Sequence, residues 1–557
     1  IGDPEVLGDG PQGFVATAGE LHGFGLEGRG IHRAGVRHGN TSHGHRVPND
    51  QVSTEVGQLQ FKRLEYPQGL SEITVVIPDS VRAMPSLENV SNGVDLYNWA
   101  VSIEIAICDS LDSFGPLRVD SLPGHDQLFS LEILRHESFI IDERPVAKAL
   151  FLMLDDIQEL ASDQRDRLVS IVTGGRPSIG VWLAERYEAM TVTELLSEGA
   201  IAGRDFDAVK DLERFWRAPG NSRRFERAVL GIADRRARSA IESGVDTFGA
   251  HLDDGIESGE HEERIRHALV TVSTRVKQRA EANSEFARWI APLESRERGS
   301  AWDDAVSWRV LEIQIAREVG RAQKRFSFAI SEDAPEESGS GLGPTAELFL
   351  AREFSLPYYF GPSKFASIAS TNIQQFVWLA GDLFEEMIAA ALLKRSPNLT
   401  PRRQEEIIRK SVSERWRKVP QELRNGREVK GFIDRVGKFS SDETYRPNAP
   451  YVPGVTGIAV SMRDRDVLRD PQSRRNNPQF DALARVLTTA MAFNLFEPIL
   501  NYRVKGKDYM VLYLNRMLCV QFNLPLGYGG FREQSLTRLV SWLQPASPEA
   551  GRQGELL

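Results

Sequence analysis

With 557 residues, 41% of them hydrophobic and 26% charged, the chain can bury ordinary cores in roughly three or four domains, which excludes a fibrous or wholly disordered protein. A net charge of -10 excludes a protein coated in positive potential, and two cysteines, Cys108 and Cys519, are too few for a disulfide framework or a cysteine zinc site. No apolar run approaches the ~20 residues that span a bilayer, and no signal-peptide pattern opens the chain, so the expectation is a cytoplasmic protein with no membrane partner.

Residues 1–57 stand apart. They hold His22, His32, His38, His43 and His45, half of the ten histidines, among scattered glycines and without a period of 2 or 3.6. The segment reads as disordered or frame-shifted, and Ile1 in place of Met reads as the mark of a fragment or processed chain. Order is expected from about Phe61. Glu72 to Ile77 is β-branched and stops at Pro78, which predicts a strand, and Val94 to Ile107 has the spacing of a buried helix.

Next comes Ala149-Leu150-Phe151-Leu152-Met153-Leu154, an unbroken apolar run that ends on Asp155-Asp156. Two readings fit. A P-loop ATPase ends its Walker B strand on an acid that holds Mg²⁺, with a second acid beside it for the attacking water. A plain core strand running into an acidic helix N-terminus gives the same string. Ser162-Asp163 then predicts a helix start, Gly174-Gly175 its end, and Ile179 to Ala184 a second apolar strand finishing on Glu185-Arg186. Strand, helix, strand in this order predicts a parallel sheet with active groups at the strand carboxyl ends.

From Asp205 to Ile330 the pattern is helical, with amphipathic stretches at Ser222 to Ser239 and Glu262 to Ile290. Residues 333–343, rich in Glu, Ser and Gly, read as a flexible break. Helices resume at Thr345 to Phe354 and Asn372 to Leu393. Between Lys394 and Lys438 stand 14 Lys/Arg against 6 Asp/Glu, which suits a helical face laced with i to i+4 ion pairs or phosphate neutralisation. Residues 439–475 read as loop. The last unit predicts a helix through Leu495, a strand at Tyr509 to Leu514, Phe531, and a closing helix from Ser535 to Trp542. Helices followed by a hairpin suit a winged-helix module or a small α+β packing domain.

Several strings together resemble bacterial AAA+ P-loop ATPases related to the origin-recognition-complex ATPases. They are Leu152 to Leu160 with Gln164, Arg204-Asp205-Phe206, Ala351-Arg352-Glu353, Leu356 to Gly361, Ser370 to Phe376 and Tyr513-Leu514-Asn515-Arg516. The resemblance covers roughly residues 60–543. It implies an α/β, P-loop NTPase (AAA+) parallel-sheet core, a helical lid and a C-terminal winged-helix-like α+β domain. The segments expected are 1–57 atypical; 58–215 ATPase core; 216–393 helical region and lid; 394–475 basic helical and loop; 476–545 winged-helix-like; and 546–557 tail. It also implies ATP and Mg²⁺ as cofactors, with Asp155 on the metal, Asp156 polarising water and Arg186 sensing phosphate charge. DNA, through 394–438 and the C-terminal domain, and a second copy of the chain are the implied partners.

The sequence departs from that family where phosphate should bind. No G-x-x-x-x-G-K-[ST] is present; the nearest string, Gly35 to Ser42, is one residue short between Gly35 and Gly39 and carries Asn40 where lysine belongs, with Thr41 as the hydroxyl. Gln374-Gln375 stands where many AAA+ lids carry a sensor arginine. Two functions therefore compete: an ATP- and Mg²⁺-dependent switch acting on DNA, and a non-catalytic ATPase-derived scaffold that binds DNA or protein.

Overall fold

The computed structural model describes residues 52–54, 57–59, 70–77, 87, 89–112, 135–145, 151–174, 180–197, 215–216, 220–240, 245–257, 259–283, 286–295, 299–324, 342–423, 425–446, 454–504, 506–528 and 530–544. They belong to two units, 1–189 and 190–557.

In the first unit, β1 (Val52–Thr54) and β2 (Gly57–Leu59) form a small antiparallel pair. The β-branched run yields β3 (Thr74–Val75), followed by helix α1 (Gly93–Asp112). Val75, Ile77, Leu87, Val90 and Leu96 pack together there, with Trp99 and Phe139 against them. Antiparallel pairing links β3 to β4 (Phe139–Ile141), and β4 to β5 (Arg144–Pro145). A separate pair is parallel, as the strand-helix-strand order predicts. β6 (Phe151–Leu154) runs beside β7 (Gly180–Leu183), in register from Phe151–Gly180 to Leu154–Leu183, with α2 (Ser162–Gly174) as the crossover.

The second unit begins at α3 (Val192–Leu195), whose capping box joins Thr191 and Glu194. Helix α4 (Ser222–Ser239) buries Phe225, Val229, Ala233 and Ala237, a stripe at i to i+4 spacing. The expected stretch from Glu262 to Ile290 is two helices, α5 (Glu262–Ala282) and α6 (Ala287–Ser295), because Asn283 leaves the helix with extended backbone, φ -147°. With α7 (Ala301–Lys324) and α8 (Leu342–Phe354) they bury Val272, Val276, Trp289, Trp308, Leu311 and Leu350 in one core. Residues 342–343, read from sequence as the end of the flexible break, are the first turn of α8; residues 333–341 lie outside the described residues.

Helices α9 (Pro362–Ile368), α10 (Ile373–Leu392), α11 (Pro401–Glu422) and α12 (Gly426–Thr444) follow. Asn372 caps α10 by accepting from Gln375 N–H, and Thr400 caps α11 with Pro401 in the first turn. Gly437 lets α12 approach closely, since a Cβ there would run into the Phe522 ring.

The loop expected over 439–475 is overturned among the described residues, with 447–453 lying outside them. α12 extends to Thr444, and β8 (Val455–Ser461) buries six consecutive residues, Val455 to Val460. Helices α13 (Met462–Arg469), α14 (Pro471–Asn476) and α15 (Pro478–Ala492) come next. The residues that read as loop are helix starts. Ser461, Asp470 and Asn477 are N-caps, and Pro471 and Pro478 occupy first-turn positions where no backbone donor is needed. A hairpin of β9 (Phe496–Val504) and β10 (Lys507–Leu514) leads through α16 (Arg516–Gln521) to β11 (Gly530–Glu533) and α17 (Leu536–Ser541). Sheet order is β11-β8-β10-β9, antiparallel except that β11 runs parallel to β8. α3 packs against α15, and Thr193 Oγ1 donates to Arg469 O at 3.3 Å.

Among the described residues, no helix is long and apolar enough to cross a membrane.

Candidate functional site

At the carboxyl end of β6 the chain turns sharply. Leu152 is fully buried and anchors the strand, while Asp155 is exposed and Asp156 half-buried. Asp156 sits in the left-handed region, φ 55° and ψ 34°, a conformation that costs about 1–2 kcal/mol for an L-residue and that aspartate tolerates better than most. It is held there from both sides. Asp156 N–H donates to Asp155 Oδ1 at 2.9 Å, and Gln158 Nε2 donates to Asp156 Oδ1 at 2.8 Å.

The neighbouring strand closes the arrangement. Ala184 N–H donates to Leu154 O at 2.8 Å, and Ile157 N–H returns to Ala184 O at 3.3 Å. Gln158 Oε1 accepts from Arg186 N–H at 3.2 Å, so this one amide joins the second acid to the end of β7. Glu185 is held by Arg165 of α2 in a two-pronged pair, Nε to Oε2 at 2.6 Å and Nη2 to Oε1 at 2.8 Å, which fixes where β7 ends relative to the crossover helix. Arg186 is left exposed and, among the described residues, forms no ion pair. Desolvation raises the Glu188 carboxyl above the ordinary glutamate range; Arg186 opposes the rise and Glu159 adds to it, which places Arg186 within electrostatic reach of acids at this end of the pair.

Three of the six residues singled out from sequence, Asp155, Asp156 and Arg186, thus stand at the ends of adjacent parallel strands. Gly35, Gly39 and Thr41 lie outside the described residues, as does Arg204-Asp205-Phe206. Sequence alone assigns Gln158 no role; its place two residues after the second acid is the available signal.

The other family strings meet elsewhere. Gln375 and Asn515, 140 residues apart, exchange amide hydrogen bonds: Gln375 Nε2 to Asn515 Oδ1 at 3.1 Å and Asn515 Nδ2 to Gln375 Oε1 at 3.2 Å. Their remaining capacity goes to Ile368 O, Asn494 O and Met517 N–H. Arg516 N–H donates to Ser370 Oγ at 2.7 Å, the Arg516 guanidinium lies 4.1 Å from the Tyr528 ring centre, and Arg352 stacks on Tyr445. The buried Tyr359 hydroxyl lies 3.0 and 2.7 Å from the carbonyls of Cys519 and Leu524, and burial holds it protonated well above the usual tyrosine range. Gln375, at the expected place of a sensor arginine, is therefore a joint between α10 and the end of β10; Gln374 is exposed.

The basic stretch 394–438 is paired in part within the chain. Arg402 pairs with Glu406, Arg403 with Glu386 and Glu406, Arg409 with Glu405, and Lys430 with Asp434. These are four of its 14 Lys/Arg, and among the described residues the others meet no carboxylate.

A family model described as ORC-CDC6-like matches residues 94–531, a span that takes in the two-acid strand end and the joint. The chain belongs to that family. Membership in the ORC-CDC6-like family carries the AAA+ fold, and the helix-rich architecture with mixed sheets is compatible with it. No curated protein and no solved structure matches the chain.

Proposed function

We propose that this ORC-CDC6-like chain is an AAA+ nucleotide switch that uses ATP and Mg²⁺ to control its hold on DNA. The observation that carries the reading is Asp155 and Asp156 at the carboxyl end of a parallel strand, with Arg186 at the end of its neighbour and Gln158 between them. The donor set fits the metal. Mg²⁺ is bound through one or two carboxylates, with phosphate and water oxygens completing its shell. Asp155 is exposed and, among the described residues, accepts one hydrogen bond and meets no cation. In this reading Asp155 holds Mg²⁺, Asp156 orients water through the oxygen that Gln158 leaves open, and Arg186 faces phosphate charge. Bound Mg-ATP supplies the scissile phosphoanhydride. Gly35, Gly39 and Thr41 are proposed as the remains of the phosphate loop.

The DNA-binding end of the switch is proposed to be a winged helix. Its support is topological: α12, β8, α13, α14, α15, β9 and β10 follow as helix, strand, three helices and hairpin, with β8 pairing to β10 and β10 to β9. α15 takes the recognition position, and exposed Tyr502, Arg503 and Lys507 line the hairpin near its tip. A non-catalytic scaffold is the second reading, favoured by the missing lysine at Asn40. Single-turnover ATP hydrolysis with Mg²⁺ separates the two: the switch reading requires phosphate release that Asp156→Asn abolishes, and a chain that binds DNA but releases no phosphate is the scaffold.

A further inference from the structure

Helix α4 is a second basic stretch of the chain. Its 18 residues carry Arg223, Arg224, Arg227, Arg235, Arg236 and Arg238 against Glu226 and Asp234. All six arginines are exposed, and among the described residues none meets a carboxylate. Both acids are engaged elsewhere: Asp234 Oδ1 accepts from the Phe248 and Gly249 N–H groups at 2.7 and 3.1 Å, and Glu226 accepts from Ser363 Oγ at 3.4 Å. The two arginine side-chain bonds on the helix go to backbone carbonyls, Arg227 to Arg223 O and Arg238 to Asp234 O, and leave the positive charge unanswered.

The placement is one-sided. At ~100° per residue, Arg223, Arg224, Arg227, Arg235 and Arg238 fall within an arc of ~120°, opposite the stripe of Phe225, Val229, Ala233 and Ala237, and they span ~22 Å along the axis. Arg236 and Arg238 in the last turn suit the helix dipole, but local stability argues against Arg223, Arg224 and Arg227. The first turn holds no acid but two arginines, against the helix dipole, and Arg223 and Arg227 are like charges one turn apart. A chain of net charge -10 that gathers five unanswered guanidiniums on one helical face is arranged for a polyanion. Arginine is also the residue that grips phosphate with two parallel bonds.

We infer that the exposed face of α4 binds the DNA sugar-phosphate backbone, independently of base sequence, as a second contact beside the winged helix. The inference rests on the DNA part of the proposed function. It adds that the helix bearing the contact is anchored on α9 and α10.

The test is the salt dependence of binding to a fluorescent mixed-sequence duplex, followed by anisotropy from about 50 to about 200 mM salt. Three forms of the full chain are compared: unaltered, Arg223→Gln/Arg224→Gln/Arg227→Gln, and Arg235→Gln/Arg238→Gln. Log affinity against log salt should flatten by ~2.7 for the triple and ~1.8 for the double, equally for unrelated sequences. Arginine-to-lysine versions at the same five positions should restore most of the slope. They guard against a folding artefact, as does an unchanged melting curve. Unaltered slopes with DNA still bound overturn the α4 contact and leave the DNA reading standing. No binding by the unaltered chain at the lowest salt overturns both. Displacement of the duplex by polyglutamate as readily as by unlabelled DNA makes the partner an acidic protein surface and overturns the inference.

Discussion

The end of β6 and the joint between α10 and β10 both carry strings of the same family resemblance, and they use polar groups in opposite ways. At the joint, Asn515 is fully buried and its amide is spent on Gln375, Asn494 and Met517. At the strand end, Asp155 is exposed and Asp156 accepts one side-chain hydrogen bond. A string that resembles a family's is thus a poor guide to chemistry until its hydrogen-bonding capacity is counted. Saturated groups hold the fold, and unsaturated ones are free to act.

Substitution should break the two places differently. Asp156→Asn should slow ATP hydrolysis by about 10³-fold, ~4 kcal/mol of barrier, while leaving the melting temperature in place, because no fold contact depends on its charge. A parallel loss of stability would return Asp156 to a structural role. Asn515→Ala should do the reverse. It strands the Gln375 amide and the Asn494 carbonyl and costs about 2–3 kcal/mol in a denaturant midpoint, with nucleotide affinity unchanged. An intact midpoint would mean that the joint is not what locks α10 to the sheet.

A third contrast comes from the charged flank of the α5–α7–α8 core. Glu312 and Glu353 are shared by Arg275 and Arg309, with Arg309 Nη1 2.6 Å from Glu312 Oε2 and 2.9 Å from Glu353 Oε2. Burial alone would raise the Glu353 carboxyl, but Arg275 and Arg309 outweigh it and hold it below the ordinary range. A depressed folded value means that stability is complete above the unfolded glutamate range and is lost as pH falls through the folded one. Acid unfolding of the full chain should show that loss, and Glu353→Gln should remove it from the profile. The smallest effect is expected on α11, where the Arg403 pairs with Glu386 and Glu406 are solvent-exposed; Arg403→Ala should change stability by under about 0.5 kcal/mol.

Much of this was legible from sequence where one period dominated. Ser222 to Ser239 is found as read, and Asn372 to Leu393 as the N-cap, helix and C-cap of α10, because stripes and caps agree there. The parallel pairing of β6 and β7 was legible from two apolar runs flanking a capped helix. What failed was 439–475, where prolines and aspartates at helix starts hide a central strand, Val455 to Val460, built partly from Thr, Gly and Ala. The site was half legible. Acids at the end of an apolar run advertise themselves, but the Gln158 bridge depends on how two strand ends lie side by side. The Gln375–Asn515 pair spans 140 residues and has no local sign. The arginines of α4 were visible; that they stand unanswered, while Arg402, Arg403 and Arg409 of α11 are paired, needed the fold.

The central claim is that the end of β6 is a Mg-nucleotide site. Equilibrium titration of the full chain with ATP, with and without Mg²⁺, and again with Asp155→Asn, tests it most directly. The account predicts saturable binding whose Mg²⁺ dependence disappears in Asp155→Asn. Absence of binding by the unaltered chain, or binding with the same Mg²⁺ dependence in both forms, would contradict it.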